Sequence, residues 1–270
     1  MRFSVLETFF PKQRWARITP VAEDGFKGEW VTAPESSQKR VVLYIHGGGF
    51  VFNGTKLYRN FIAMVAKFSR AKVFSLDYSL APENPYPTAL NEALAAYKWL
   101  VGEYDAHSIA IAADSAGGTL ALSLLHTLRD QELPLPACAV LLSPATDAMF
   151  GGESLGHNET KDIYISLESL RFFTDAYFAK TPKNDPIASP LHGSFKNFPP
   201  LLIHAEKTEL MYSDSHRLAQ KAEAAGVDVA FEPAEGLFHV WHLFALYMPE
   251  AKKSVQSIGE YIFKHTKINK

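Results

Sequence analysis

The sequence predicts an α/β fold with a mostly parallel central sheet and helices on both faces. Three observations carry that expectation. Short apolar runs at 41–45, 73–76, 109–112, 139–142, 201–204 and 229–231 suit strands buried on both faces. Longer segments with helical spacing, LYRNFIAMVAKFS, ALNEALAAYKWLV and GTLALSLLHTLRD, lie between the earlier runs, and such alternation favours parallel pairing through crossovers. A length of 270 residues can bury one core of this kind, so a single domain over 1–270 is expected.

In chain order, MRFSVLETFFPKQRW places Phe3, Leu6 and Phe10 at helical spacing. Glu7 interrupts its apolar run and no small-residue cleavage site follows, so it does not read as a signal peptide. Residues 1–24 are expected to cap a pocket. The first apolar run ends in His46, Gly47, Gly48, Gly49 and Phe50. Consecutive glycines let backbone amides face a developing negative charge. A phosphate cradle competes, but GFVFNGTK (49–56) lacks the Gly-Lys-Ser/Thr order of a P-loop.

The run at 109–112 leads into Ala113, Asp114, Ser115, Ala116 and Gly117. Ligands of open α/β sheets bind beyond the carboxyl ends of the strands, where Ser115 falls. A serine on a sharp strand-to-helix turn with small neighbours is the nucleophile elbow G-x-S-x-G, missed here by one methyl at Ala113. Capping of the next helix is the competing role for Ser115. Cys138 reads as a buried thiol. The segment 147–200 is rich in Gly, Asn and Pro, contains helix-like SLESLRFFTDAYFAK, and is expected to be a second, helical cap element. Its Phe150, Tyr164, Phe172, Phe173 and Phe178 are pocket candidates, although most such aromatics belong to a helix's core face.

Lys and Arg total 27 against 29 Asp and Glu, a formal charge of -2, so bulk electrostatics draws in neither nucleic acid nor an anionic membrane. No apolar stretch approaches the roughly 20 residues of a membrane span. One cysteine excludes an internal disulfide framework and suits a reducing, cytoplasmic compartment. No His-Glu-x-x-His or Cys/His cluster supports a metal site.

Taken in order, HGGGF, DYSLAPENPYPTALNEALAAYKWL, ADSAGG, LLSPATD, DPIASPL and EGLFHVW resemble the hormone-sensitive-lipase-like family of α/β-hydrolase esterases, its bacterial members in particular. The resemblance runs from about Gly25 onward. It implies the α/β-hydrolase fold, a Ser-His-acid carboxylesterase acting on short- to medium-chain acyl esters, no metal or organic cofactor, a small-molecule ester as partner, and room for a homodimer.

The resemblance makes Ser115 the nucleophile and, through Gly236 of the Gly-x-x-His segment, His239 the base. His242 is expected in a first helical turn or pocket wall. His46 organises the glycine loop. The acid is expected at Glu209 in EKTELMYSDS, with Asp214 and Glu206 as alternatives; Asp214 reads as a surface or helix residue. The oxyanion hole would use the amides of Gly48, Gly49 and Ala116, and Phe50 would touch substrate. Asp77, Tyr78 and Glu83 belong to a structural turn; Ser79, where relatives carry arginine, leaves Glu83 without an obvious ion-pair partner. Asp114 supports the elbow and Asp147 the loop after LLSPAT. The short N-terminal cap predicts an open acyl site. An amidase or deacetylase would use the same residues; a non-catalytic ligand binder on this scaffold is the reading from another class.

Overall fold

The computed structural model describes residues 13–179 and 181–268. One eight-stranded sheet runs through it: β1 (Arg17–Glu23), β2 (Phe26–Thr32), β3 (Ser37–Ile45), β4 (Ala71–Leu76), β5 (Ile109–Asp114), β6 (Cys138–Leu142), β7 (Leu201–Glu206) and β8 (Val229–Ala234), in the spatial order β1-β2-β4-β3-β5-β6-β7-β8. All six predicted runs lie in β3 to β8, and these strands pair in parallel. Only β1 with β2 and β2 with β4 are antiparallel.

Alternation along β3 divides the core. Val41, Leu43 and Ile45 face α2 (Thr88–Glu103), α3 (Ala116–Asp130) and α6 (Tyr212–Ala224), whereas Val42 and Tyr44 face α1 (Thr55–Ser69) and α7 (Pro249–His265). Helices therefore cover both faces. Between β6 and β7, the segment 147–200 contributes a short α4 (Ser154–His157) and α5 (Leu167–Phe178). Ser166 caps α5 by accepting from the Ser169 amide at 3.1 Å.

The expected N-terminal cap needs one correction. Arg17–Glu23 is not cap but the edge strand β1, in register with β2 from Arg17↔Thr32 to Glu23↔Phe26. Residues 1–12 of that expected cap lie outside the described residues. Sequence reading missed both strands for a physical reason. β1 faces solvent almost throughout, and β2 buries a glutamate: Glu29 is 4% exposed because Arg59 grips it with two hydrogen bonds of 2.8 and 2.7 Å.

Candidate active site

Ser115 stands at the junction of β5 and α3 with φ 51° and ψ -122°, a strained geometry for a non-glycine residue. The strain is held by main-chain bonds: the Ser115 amide donates to Leu142 O at 2.9 Å, and the Ala145 amide donates to Ser115 O at 3.1 Å. Small neighbours are obligatory, because a Cβ on Gly117 would lie 2.1 Å from Ile45 O. The alanine that replaces the first glycine of the elbow pattern fits without conflict. Ala113 is an ordinary strand residue, in register with Ile45 and Leu141.

The glycine loop leaves the end of β3 beside this elbow, and a Cβ on Gly47 would sit 3.0 Å from Ser115 Cβ. Gly48 and Gly49 have φ of 115° and 60°, and the amides of Val51 and Phe52 both donate to Gly48 O at 3.1 Å, closing the turn. Asp114 is the bolt between loop and elbow. Its Oδ1 accepts from Tyr44 Oη at 2.6 Å and from the Gly47 amide at 2.9 Å, and its Oδ2 accepts from Tyr58 Oη at 2.9 Å. Burial pushes this carboxyl up to about 6, and the donors hold it down. The role of Asp114 thus extends from the elbow to the glycine loop, a link that needs the tertiary fold to be seen.

His46 is buried and stacks on Tyr78 with ring centroids 4.3 Å apart, and its Nδ1 donates to Gly47 O at 2.7 Å. Burial lowers its pKa to about 4, so the ring organises the loop as a neutral group. Ser79 spends its amide and hydroxyl on the Glu92 carboxylate, both at 2.6 Å, and Glu83 is exposed.

Beyond the ends of β7 and β8, two loops meet. His239 Nδ1 lies 2.9 Å from Glu209 Oε2, and these residues are 3% and 1% exposed. The two alternative carboxylates are engaged elsewhere. Glu206 Oε2 accepts from the Thr208 amide and hydroxyl at 2.6 and 2.5 Å, and its Oε1 accepts from the Gly236 amide at 3.1 Å, so Glu206 joins the loop of Glu209 to the loop of His239. Asp214 Oδ2 accepts from the amides of Thr146 and Asp147 at 2.7 and 3.0 Å. It is a helix residue, as expected, but buried in α6 rather than on the surface, because those two amides need a partner. His239 Nε2 is buried without a hydrogen-bond partner among the described residues. The structure joins histidine to carboxylate and leaves the contact from histidine to Ser115 open.

A cleft beside the elbow is lined by Phe50, Thr119, Phe150, Leu170, Phe178 and Met211, among others, and encloses about 410 Å³ counting the space open to solvent. Phe50 stacks on Tyr177 with centroids 4.3 Å apart. Asp147 and Asp214 also line the cleft, and Arg217 Nη2 pairs with both, at 2.7 and 3.3 Å. Of the other aromatic candidates, Phe173 lies against Gly49, Tyr164 stands 5.9 Å from the His239 ring, and Phe172 is exposed. Of the two places expected for His242, the first helical turn is the one it takes, and not a pocket wall. It is buried in a 3-10 turn (Trp241–Phe244), with Nε2 3.0 Å from His204 Nδ1. Cys138 is buried in β6, where burial pushes its thiol up to about 12. No described helix is long and apolar enough to cross a membrane.

With this geometry in place, comparison with known proteins gives a consistent picture. Residues 42–243 match a family model described as the α/β-hydrolase fold. An acetyl-hydrolase of Streptomyces hygroscopicus is 35% identical over 235 residues, covering 87% of this chain and 78% of that protein. An esterase of Acinetobacter venetianus is 32% identical over 254 residues, covering 93% and 84%. The crystal structure of an esterase from the bacterial hormone-sensitive lipase family superposes with a TM-score of 0.95 at 35% identity, over 97% of this chain and 90% of that one.

Proposed function

The chain belongs to the α/β-hydrolase fold family, among the bacterial hormone-sensitive-lipase-type esterases, and is a carboxylic ester hydrolase; from that premise we propose that Ser115, His239 and Glu209 carry its chemistry. The single observation that supports this most is the 2.9 Å contact between Glu209 Oε2 and His239 Nδ1, with Glu206 and Asp214 both committed to other donors.

Ser115 Oγ attacks the ester carbonyl as His239 Nε2 takes its proton, and Glu209 holds the ring with its hydrogen on Nδ1 and stabilises the imidazolium that forms. The amides of Gly48, Gly49 and Ala116 receive the oxyanion. His239 returns the proton to the leaving alcohol, which leaves an acyl-Ser115 ester. Water, deprotonated by His239, then attacks that ester, and collapse releases the acid and restores Ser115.

Substrate size follows from the cleft. Phe50 and its apolar neighbours offer a surface for an acyl chain, and the Asp147–Arg217–Asp214 network at its lining makes further penetration costly, because charged groups would be desolvated. Short- to medium-chain esters therefore fit best. A cytoplasmic location is proposed on the lone, buried Cys138. A homodimer is proposed, for which either terminal strand of the sheet, β1 or β8, offers an edge; sedimentation velocity checks it.

The test is initial-rate hydrolysis of p-nitrophenyl esters across acyl lengths by the parent, Ser115→Ala, His239→Ala, Glu209→Ala and Asp214→Ala. Short esters should turn over fastest, with the serine, histidine and Glu209 variants collapsing and Asp214→Ala retaining the chemistry. Preference for long, emulsified esters overturns the size assignment, and collapse of Asp214→Ala with an active Glu209→Ala overturns the acid.

A further inference from the structure

Behind the base lies a buried polar chain that the mechanism above does not use. His204 on β7 is in register with Glu232 on β8, and its Nε2 is 3.1 Å from Glu232 Oε2, a close but bent contact. On its other side, His204 Nδ1 is 3.0 Å from His242 Nε2. Both rings are almost wholly enclosed, at 2% and 0% exposed, whereas the Glu232 side chain is 52% exposed. Trp241 packs against both imidazoles, with centroids 4.0 Å from His242 and 6.2 Å from His204. His242 follows His239 by three residues on the same turn.

Two facing ring nitrogens can bond only if one carries a hydrogen and the other does not, so the chain has a direction. Burial drives the His242 pKa well below its ordinary value, so this ring is neutral and carries one N–H. The contact with His204 is the first cause holding the Glu232 carboxyl below its usual range. A carboxylate beside His204 Nε2 favours the hydrogen on that nitrogen. With a single hydrogen on His204 this leaves Nδ1 bare, and His242 Nε2–H donates to it. His242 Nδ1 is then a bare nitrogen, in keeping with its lack of a partner among the described residues.

We propose that Glu232, His204 and His242 form a positioning chain in which Glu232 selects the tautomer of both rings and the bond between the rings holds the His239 turn against β7. The chain touches no reacting atom. It rests on His239 being the base only for its kinetic consequence; the tautomers can be read without any reaction, so the two readings fail separately.

The first test is ¹⁵N-histidine NMR of the full chain, with the His242 signals assigned by their loss in His242→Gln. The parent should show His242 with its hydrogen on Nε2. Glu232→Lys, which puts a donor where the acceptor was, should move that hydrogen to Nδ1. A parent with His242 protonated on Nδ1, or a Glu232→Lys spectrum in which His242 is unchanged, overturns the proposal.

The second test is kinetic, on p-nitrophenyl butyrate. His242→Phe keeps a ring against Trp241 but loses the bond, and should lower kcat by about tenfold with KM nearly unchanged, the scale of a small misplacement of a catalytic group. His242→Gln can still donate to His204 and should retain most of the parental kcat. His204→Phe should match His242→Phe, and the double variant should fall no further, because both remove one bond. Parental kcat in His242→Phe, or additive losses in the double variant, overturns the positioning role. If His242→Phe fails to fold, the Gln variant and the Glu232→Lys spectra decide. His239→Ala, run alongside, tests the base itself.

Discussion

Replacing Gly48 by alanine should abolish most turnover while leaving a folded protein. Gly48 has φ 115°, outside the left-handed region that alanine tolerates, and its added Cβ would stand 2.2 Å from Phe52 O and 2.7 Å from Asn53 Nδ2. The nearer atom is backbone and cannot swing aside. Because the Phe52 amide itself donates to Gly48 O, moving Phe52 opens the turn that sets the amides of the loop. Losing one oxyanion donor costs about 3 to 4 kcal/mol, or roughly 10²- to 10³-fold in kcat. The strain of such a backbone site, about 1 to 3 kcal/mol, is smaller than the stability of a typical domain. Gly49→Ala provides the control. Its φ of 60° costs alanine only about 1 to 2 kcal/mol. The obstacle there is a side chain, the Phe173 ring at 2.5 Å, so Phe173→Ala added to Gly49→Ala should recover activity. The assay is kcat on saturating p-nitrophenyl butyrate, with circular dichroism and a thermal melt for each variant. A folded Gly48→Ala with more than about a tenth of the parental kcat would refute the oxyanion assignment.

Two further predictions address the surroundings of the site. Glu206→Gln cannot accept from both the Thr208 and Gly236 amides as the carboxylate does, so kcat should fall by about tenfold with KM nearly unchanged, and stopped-flow acylation rates should fall in parallel; an unaltered kcat removes Glu206 from the support of the His239 loop. His126 packs against Phe195 and Phe198, where burial lowers its pKa to about 4 from an unfolded value near 6.5. The unfolded chain therefore binds more protons between those values, and stability present above pH 6.5 is lost as pH falls towards 4. His126→Gln lacks this loss, so the Tm advantage of the parent over the variant should shrink between pH 7 and 5; a constant difference contradicts the linkage.

The parts of the fold legible in the sequence are those whose signal is local. β3 to β8 each carry a short apolar run that announces itself, whereas β1 and β2 form an antiparallel edge whose one buried acidic residue needs Arg59, 30 positions away, to make sense. Ser115 and the three glycines were legible for the same reason, since a sharp turn and close backbone approach impose their residue types directly. The contact of Asp114 with the glycine loop spans 67 positions and has no local mark.

The acid shows where local reading stops. Glu206, Glu209 and Asp214 fall within nine residues of one another, and all are buried, at 0%, 1% and 5% exposed, so neither spacing nor burial separates them. What separates them is how their oxygens are spent. Glu206 holds three donors and Asp214 two amides and an arginine, arrangements that favour a fixed charge in a fixed place. Glu209 gives one oxygen to His239 and keeps the other without a partner among the described residues. A triad carboxylate must strengthen its hold on the imidazole as that ring becomes positive, and a carboxylate with its charge undivided among other donors does so most effectively. Sharing of donors, which only the assembled loops determine, is therefore the property that singles out Glu209 for the catalytic role proposed for it and leaves Glu206 and Asp214 as structural carboxylates.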